Sequence, residues 1–183
     1  FFPYYVVIVF IEFYVSALLL TLNPVTKIDV VGGLRWVVRA NYLHDFAKGQ
    51  GNNISYAAFL KGNSRDGLFE RNLVVCSSLH SGQVRLGLSF GGGGSSPDSI
   101  CEDGTCTPEH QNGIMRNNII AHCSDVGIYI NAGQNSAIYN NTLYKTTGID
   151  FRFAATTGVA DSNLLSGDID NRDGATGAFS NNV

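Results

Sequence analysis

Short apolar frames recur along this chain, and each frame carries an asparagine at a matching position. The last four of these asparagines are 23, 22 and 19 residues apart, a period typical of stacked units that bury a core only against their neighbours. Asparagine suits such a stack, because its amide can donate to the coil on one side and accept from the coil on the other. The frame asparagines are Asn41, Asn72, Asn118, Asn141, Asn163 and Asn182. Each frame is too short and too rich in β-branched residues for a helix, so the pattern predicts strands.

A second short strand precedes most asparagine frames, and its apolar and polar residues alternate, as in Gly148–Phe153. Glycines and clusters of Asn, Asp and Ser separate the strands and supply tight turns. Parallel strands need crossover connections, and turns this short allow a crossover only by coiling. The pattern therefore predicts an all-β fold, a right-handed parallel β-helix, with the frame asparagines stacked inside it.

Two regions depart from the period. Residues 1–23 are almost wholly apolar, and three interpretations stay open: upstream solenoid strands, a membrane anchor, or an artefact of a truncated reading frame. Residues 24–183 make up the predicted β-helix, in which residues 91–112 look like an inserted loop on one face. The chain begins at Phe1 and stops inside a frame at Val183, so we expect a fragment that lacks N-terminal coils.

Charge excludes some partners. The net charge is −3 and no basic run or RNA-binding aromatic motif is present, so the sequence gives no reason to expect nucleic acid. Membrane contact is expected only through residues 1–22, if they are an anchor.

The four cysteines divide into two pairs by context. Cys101 and Cys106 lie in the inserted loop, where a small disulfide is natural in an oxidising compartment. Cys76 and Cys123 follow Asn72 and Asn118 at matching places, and we expect them to be small buried thiols. Zinc is not indicated, because no second CxxC or paired histidine spacing accompanies them.

Cationic residues recur at a constant distance before the asparagines. With residues 91–112 removed, four of them fall 10 or 11 residues before a frame asparagine: Lys61, Arg85, Arg152 and Arg172. We expect these side chains to form a column on one outer face, with coils about 4.8 Å apart. Asp150 and Asp170 sit two residues before the last two arginines, on the same face. Two interpretations stay open: a solvated ladder of Asp150–Arg152 and Asp170–Arg172 pairs, or a groove in which arginine forks bind the carboxylates of an acidic polysaccharide.

Several of these strands resemble a known group of proteins. Phe59–Gly62, Phe69–Asn72, Val84–Gly87 and Gly148–Phe153 look like strands of the right-handed parallel β-helix proteins, which include the pectate-lyase-like enzymes. A shorter stretch is similar to the chondroitinase B and alginate lyase family. One β-helix scaffold hosts lyases, hydrolases, epimerases and adhesins, so the resemblance implies a fold more than an activity.

The chondroitinase B and alginate lyase resemblance implies catalytic residues. Members of that family place a catalytic lysine on one coil and an arginine about one coil later, and Lys61 and Arg85 match this arrangement. The family binds calcium through acidic residues shortly before the lysine, but Ile54, Ser55 and Tyr56 stand there in this chain. A calcium site of that type is therefore not expected, and no other cofactor is indicated.

The sequence favours a protein that acts on an acidic, uronate-containing polysaccharide or oligosaccharide by β-elimination. Lys61 would abstract a proton with Arg85 beside it, and the substrate contacts would be Asn131, Asp150, Arg152, Asp170 and Arg172. Two alternatives stay open: a glycoside hydrolase that uses Asp150 and Asp170, and a carbohydrate-binding or surface protein without activity. His110 and His122 could also serve as acid or base, although a lone histidine in a loop is more often merely exposed. We expect a secreted, periplasmic or cell-surface location, because proteins of this fold usually act on polysaccharides and because the loop carries a cysteine pair.

Overall fold

The computed structural model describes residues 14–16, 19–20, 26–48, 54–77, 84–92 and 100–183. Of residues 1–23, only 14–16 and 19–20 are described. Residues 93–99 of the predicted inserted loop also lie outside the described residues. Two short strands of the apolar segment are described, β1 (Tyr14–Ser16) and β2 (Leu19–Leu20). No helix in these described ranges is long and apolar enough to cross a membrane.

The strands form three long sheets, named here in the order in which one coil visits them. The front sheet contains β3 (Thr26–Val31), β6 (Ile54–Lys61), β10 (Val84–Phe90), β14 (Ile128–Asn131), β18 (Gly148–Arg152) and β21 (Asp168–Arg172). The middle sheet contains β1, β4 (Val37–Arg39), β8 (Leu68–Glu70), β12 (Ile114–Arg116), β16 (Ser136–Tyr139), β19 (Thr157–Asp161) and β22 (Thr176–Ser180). The rear sheet contains β2, β5 (Tyr42–His44), β9 (Leu73–Val75), β13 (Ile119–Ala121), β17 (Thr142–Tyr144) and β20 (Leu164–Leu165).

All strand pairings within these sheets are parallel, and each strand pairs with the corresponding strand of the next coil. A short fourth sheet lies between the front and middle sheets and consists of β7 (Ser64–Arg65), β11 (His110–Gln111) and β15 (Gly133–Gln134). The predicted parallel β-helix is therefore confirmed. Because β11 pairs on both sides, His110 and Gln111 belong to the coil rather than to an inserted loop.

The asparagine ladder lies at the corner between the middle and rear sheets. Asn118 comes shortly after β12 and is buried; its Nδ2 donates to Oδ1 of Asn141 at 2.9 Å and to the Phe69 carbonyl at 3.0 Å. Its own Oδ1 accepts from the backbone N–H and the side-chain amide of Asn72. The same side-chain bond runs from Asn41 to Asn72, from Asn141 to Asn163 and from Asn163 to Asn182. Each asparagine accepts or donates the hydrogen bonds that its neighbours in the ladder need, so the ladder fixes the register of all the coils.

The core consists of aligned columns of apolar side chains inside the three sheets. One such column runs through the middle sheet and contains Phe69, Met115 and Ile138 of successive coils. Ala57 and Ala58 of β6 both belong to the core, so the alternation of the front sheet is broken at that point. This break shifts which residues face outward in the first half of β6 and β10.

Two disulfides are present. Cys101 and Cys106 are bonded, as the loop context predicted. The expectation that Cys76 and Cys123 are separate thiols is wrong, because they also form a disulfide. Their matching places in successive coils bring the two Cα atoms to 4.8 Å, which is within bonding range.

We expect Asn118→Asp to lower the free energy of unfolding by about 3 kcal/mol, because it removes both amide donors and buries a carboxylate beside acceptors. Asn117→Asp is the matched control, since Asn117 is the exposed neighbour and should change stability by less than about 0.5 kcal/mol. Urea unfolding of both variants measures the difference. Equal losses would show that the ladder does not stabilise the fold.

We expect the Cys76→Ala/Cys123→Ala variant to lose about 4 kcal/mol of stability, because that disulfide closes a long loop of the unfolded chain. The Cys101→Ala/Cys106→Ala variant should lose only about 2 kcal/mol. The two sequence separations, 47 and 5 residues, are the reason for the difference. Denaturant unfolding under non-reducing conditions compares them, and a larger loss for the loop pair would contradict the expectation.

Candidate functional site

A column of polar and cationic residues crosses the outer face of the front sheet at the ends of its strands. Asn131 of β14 is in register with Arg152 of β18, which is in register with Arg172 of β21. In the other direction, the pairing of Phe90 with Ile130 and with Leu60 aligns the next residues, Gly91 with Asn131 and with Lys61. We call Lys61, Asn131, Arg152 and Arg172 the front column.

Arg85 does not belong to the front column, so this part of the prediction is wrong. It pairs with Ser55 at the beginning of β6, whereas Lys61 lies at its end, six residues later and therefore about 20 Å away. The side chain is 1% exposed and its Nε donates to the carbonyl of Phe46. Burial lowers the pKa of the Arg85 guanidinium, which the carboxylate of Asp45 partly offsets. Arg85 lies 11 residues before Asn118 only if all of residues 91–112 are an insertion, whereas β11, within that segment, belongs to the coil.

Ion pairs at the front column join neighbouring coils. The Arg172 guanidinium binds the Asp150 carboxylate through Nε, 3.0 Å from each oxygen, and also through Nη2. Asp150 is 2% exposed, and its hydrogen bond raises the pKa of Arg172. Arg152 instead pairs with Asp173 at 2.6 Å, and Asp170 is exposed. The pairs expected within one strand, Asp150–Arg152 and Asp170–Arg172, are thus replaced by pairs between coils.

The bound guanidinium also affects the hydrolase alternative. Asp150 and Asp170 are in register on adjacent strands, as a catalytic pair of carboxylates would be. The oxygens of Asp150 are occupied by Arg172, however, and a carboxylate held in this way is a poor general acid.

An aromatic group that the sequence did not reveal lies beside the front column. The rings of Tyr56 and Phe59 meet edge to face at 5.5 Å, and Tyr56 stacks with Tyr129 at 6.5 Å. Lys61 Nζ lies 4.5 Å from the centre of the Phe59 ring, and Arg152 Nη1 donates to the Tyr129 hydroxyl. Burial raises the pKa of Tyr129, which the hydrogen bond from Arg152 partly offsets. The sequence feature that could have predicted this group is the position of Phe59 and Tyr129, two residues before Lys61 and Asn131 and therefore on the same face of their strands.

The two histidines considered as acid or base lie apart from the front column. His110 is completely buried; its ring stacks on Phe90 at 4.3 Å and its Nδ1 lies 2.7 Å from Ser64 Oγ. Burial lowers the pKa of His110 to about 3, so the ring is neutral at ordinary pH. The expectation that this histidine is exposed is therefore wrong. His122 is exposed and meets the Tyr144 ring edge to face.

Comparison with known proteins finds one family model, described as "Periplasmic copper-binding protein (NosD)", which matches residues 98–178. A comparison with curated proteins gives no match. Among solved structures, a candidate glycosyl hydrolase from Parabacteroides merdae is similar to the chain at 9% sequence identity and a TM-score of 0.41. That similarity covers 81% of this chain and 82% of the other.

The description of the matched family raises the question of copper, for which imidazole, thiolate and thioether are the suitable ligands. All four cysteines are in disulfides, Met115 is fully buried in the core and His110 is packed against Phe90. No group of three or more His, Cys, Asp or Glu side chains within the described ranges is arranged to hold a metal ion. The described residues therefore do not fit a copper site.

We expect neutral, buried His110 to make stability depend on pH. Its folded pKa lies below the unfolded value near 6.5, so its contribution is present above about pH 6.5 and is lost as pH falls towards 3. Between about pH 7.5 and about pH 5 this loss should amount to about 2 kcal/mol.

Urea unfolding at both pH values tests this expectation. The difference between them should shrink by that amount in His110→Gln and stay unchanged in His122→Gln, the exposed control. An unchanged pH dependence in His110→Gln would show that another group is responsible.

Proposed function

We propose that the protein binds an acidic, uronate-containing polysaccharide across its coils, along the front column. The observation that carries this proposal is the register of Lys61, Asn131, Arg152 and Arg172 at the ends of front-sheet strands. Arginine forks bind carboxylates in bidentate fashion, whereas Asn131 is only 9% exposed and lies buried between its neighbours. Arg152 and Arg172 are both well exposed, at 36% and 50% of their side chains, so a ligand can reach them.

Neighbouring strands lie about 4.8 Å apart, so Lys61 and Arg172 are separated by four strand spacings, about 19 Å. A single sugar cannot contact both ends of the column, whereas a chain of several sugars laid across the coils can. This span favours a polymer or an oligosaccharide over a monosaccharide as the ligand.

The reaction we propose on this polymer is β-elimination, as the local resemblance to the chondroitinase B and alginate lyase family suggests. Lys61, in its unprotonated form, would take the proton from C5 of a uronate, the electron pair would form the C4–C5 double bond, and the glycosidic C4–O bond would break, with the departing oxygen taking a proton from the Lys61 ammonium or from water. Arg85 takes no part in this scheme, because it is buried far from Lys61. Arg152 and Arg172 would bind carboxylates further along the chain.

Such a protein is located outside the cytoplasm: in the periplasm, at the cell surface or in the medium. Two disulfides in the described residues are typical of oxidising compartments. The matched family, described as periplasmic, agrees with this location.

The test is incubation with alginate, pectate and chondroitin sulfate while the ultraviolet absorbance of unsaturated products is followed. Lys61→Ala should abolish turnover and leave binding largely intact, because the lysine acts on the proton rather than on the chain. Arg152→Ala should raise KM about tenfold, since a charge-assisted bond to substrate is lost. Lys145→Ala is the control, because this exposed lysine comes directly after β17 of the rear sheet.

Full turnover in Lys61→Ala would rule out this lysine as the base of a β-elimination. Release of reducing sugar without unsaturated product would point to hydrolysis instead. Failure of all three polymers to bind would overturn the proposed function.

A further inference from the structure

A second groove, of about 410 Å³, lies on the outer face of the middle sheet. Its floor is apolar: Val37, Leu68 and Ile114 come from three successive coils and are in register with one another. All three are partly exposed. The volume is within the range of pockets that bind small molecules.

Arg116 lines one wall of this groove and shares the buried carboxylate of Glu70 with Arg39. Glu70 is 3% exposed and stands between Arg39 and Arg116 of the neighbouring strands. Arg39 Nε is 2.6 Å from Glu70 Oε2, and Arg116 Nε donates to Oε1 at 2.7 Å. Burial alone would raise the pKa of Glu70, but the charges of Arg116, Arg39 and Arg71 together lower it, so the carboxylate stays ionised. One carboxylate thus positions two arginines that are each more than a third exposed.

The opposite wall carries Arg35 and a chain of amides. Asn112 Nδ2 donates to Asp66 Oδ1 at 3.2 Å, and Asn135 Nδ2 donates to Asn112 Oδ1 at 2.9 Å. Arg35 is exposed and lines the groove beside Asp66. This wall offers one cation and several hydrogen-bonding groups at the spacing of the coils.

The charge around the groove is opposite in sign to that of the whole chain. Arg35 and Arg116 line the groove and Arg39 is in register beside Glu70, so three arginines face the two carboxylates of Asp66 and Glu70, whereas the protein carries a net charge of −3. An excess of arginine around a concave surface attracts anionic groups.

The form of the groove narrows the class of ligand. β4, β8 and β12 each pair with a strand on both sides, so their backbones cannot add a peptide strand. An aliphatic floor between two polar walls instead suits a chain of sugar rings, whose C–H faces pack on apolar side chains while hydroxyl and anionic groups meet the walls.

We infer that this groove is a second binding site, for a carboxylated or sulfated oligosaccharide segment. The inference rests on the proposed function in taking the same substrate class, but it concerns a different sheet. Lys61 and Leu68 belong to one coil, so a long polysaccharide that occupied both sites would gain avidity.

Calorimetric titration with chondroitin sulfate and alginate oligosaccharides too short to reach both sites tests this inference. The wild-type protein should bind two oligosaccharides per chain. Arg35→Asn should weaken the binding at one of them about tenfold and leave the other unchanged. Arg35 has a positive φ of 55°, which asparagine tolerates, and its side chain forms no ion pair with the described residues.

Lys145→Asn is the matched control, because Lys145 is also an exposed cation with a positive φ, of 53°. It should leave both sites intact. Arg152→Asn should weaken only the front-column site, about tenfold, and uronate turnover should depend on that site alone.

The outcomes separate the two proposals. One site, sensitive to Arg35→Asn but not to Arg152→Asn, would support the groove and overturn the front column. One site with the opposite sensitivity would overturn the groove. No binding of either oligosaccharide would overturn both, and self-association of the protein that Arg35→Asn abolishes would assign the groove to a second copy instead.

Discussion

The stacked, buried asparagines are the interaction on which the rest of this structure depends. An amide removed from water needs partners for both its donors and its acceptor, and here the equivalent asparagines and backbone groups of adjacent coils supply them. A coil that slipped by one residue would leave those groups unsatisfied and would turn its apolar side chains outward. The ladder therefore holds successive coils in one register. Every outer column, polar or apolar, inherits its alignment from this inner one.

Alignment of equivalent residues creates an electrostatic problem, because like charges on adjacent strands come within about 4.8 Å of each other. At two places a buried carboxylate offsets this repulsion between arginines. Asp150 is buried under Arg172, and Glu70 is buried between Arg39 and Arg116. A buried carboxylate that is paired and hydrogen-bonded can be retained, and it fixes the exposed arginines in defined positions. Arginines fixed in this way lose less side-chain entropy when they bind an external anion.

The regular period in the sequence predicted the stacking of the coils, whereas the interruptions of that period misled the prediction. Between Asn118 and Asn182 the coils are regular, and the predicted alignment of Arg152 with Arg172 holds there. Across the insertion, the spacing to Asn118 predicted that Arg85 would align with Lys61, which is wrong. The reasons are that β11 is part of the coil and that the alternation of β6 is broken at Ala57 and Ala58. The Cys76–Cys123 bond depends on stacking at 4.8 Å, a distance that the spacing in sequence does not give by itself. Burial of His110 depends on Phe90, which lies on another sheet.

Net charge is a weak guide to the partner that we propose for this protein. A total of −3 argues against an anionic ligand only if the charges are evenly spread, and they are not. Arg35, Arg39 and Arg116 lie in or beside the middle-sheet groove, and Arg152 and Arg172 lie on the front sheet. Screening limits the reach of exposed charges to about 8 Å at physiological ionic strength, so a polyanion, such as the ligand we propose, would respond to such local groups rather than to the total. Because a solenoid repeats its outer positions from coil to coil, it can concentrate one sign of charge on a face without changing the charge of the whole.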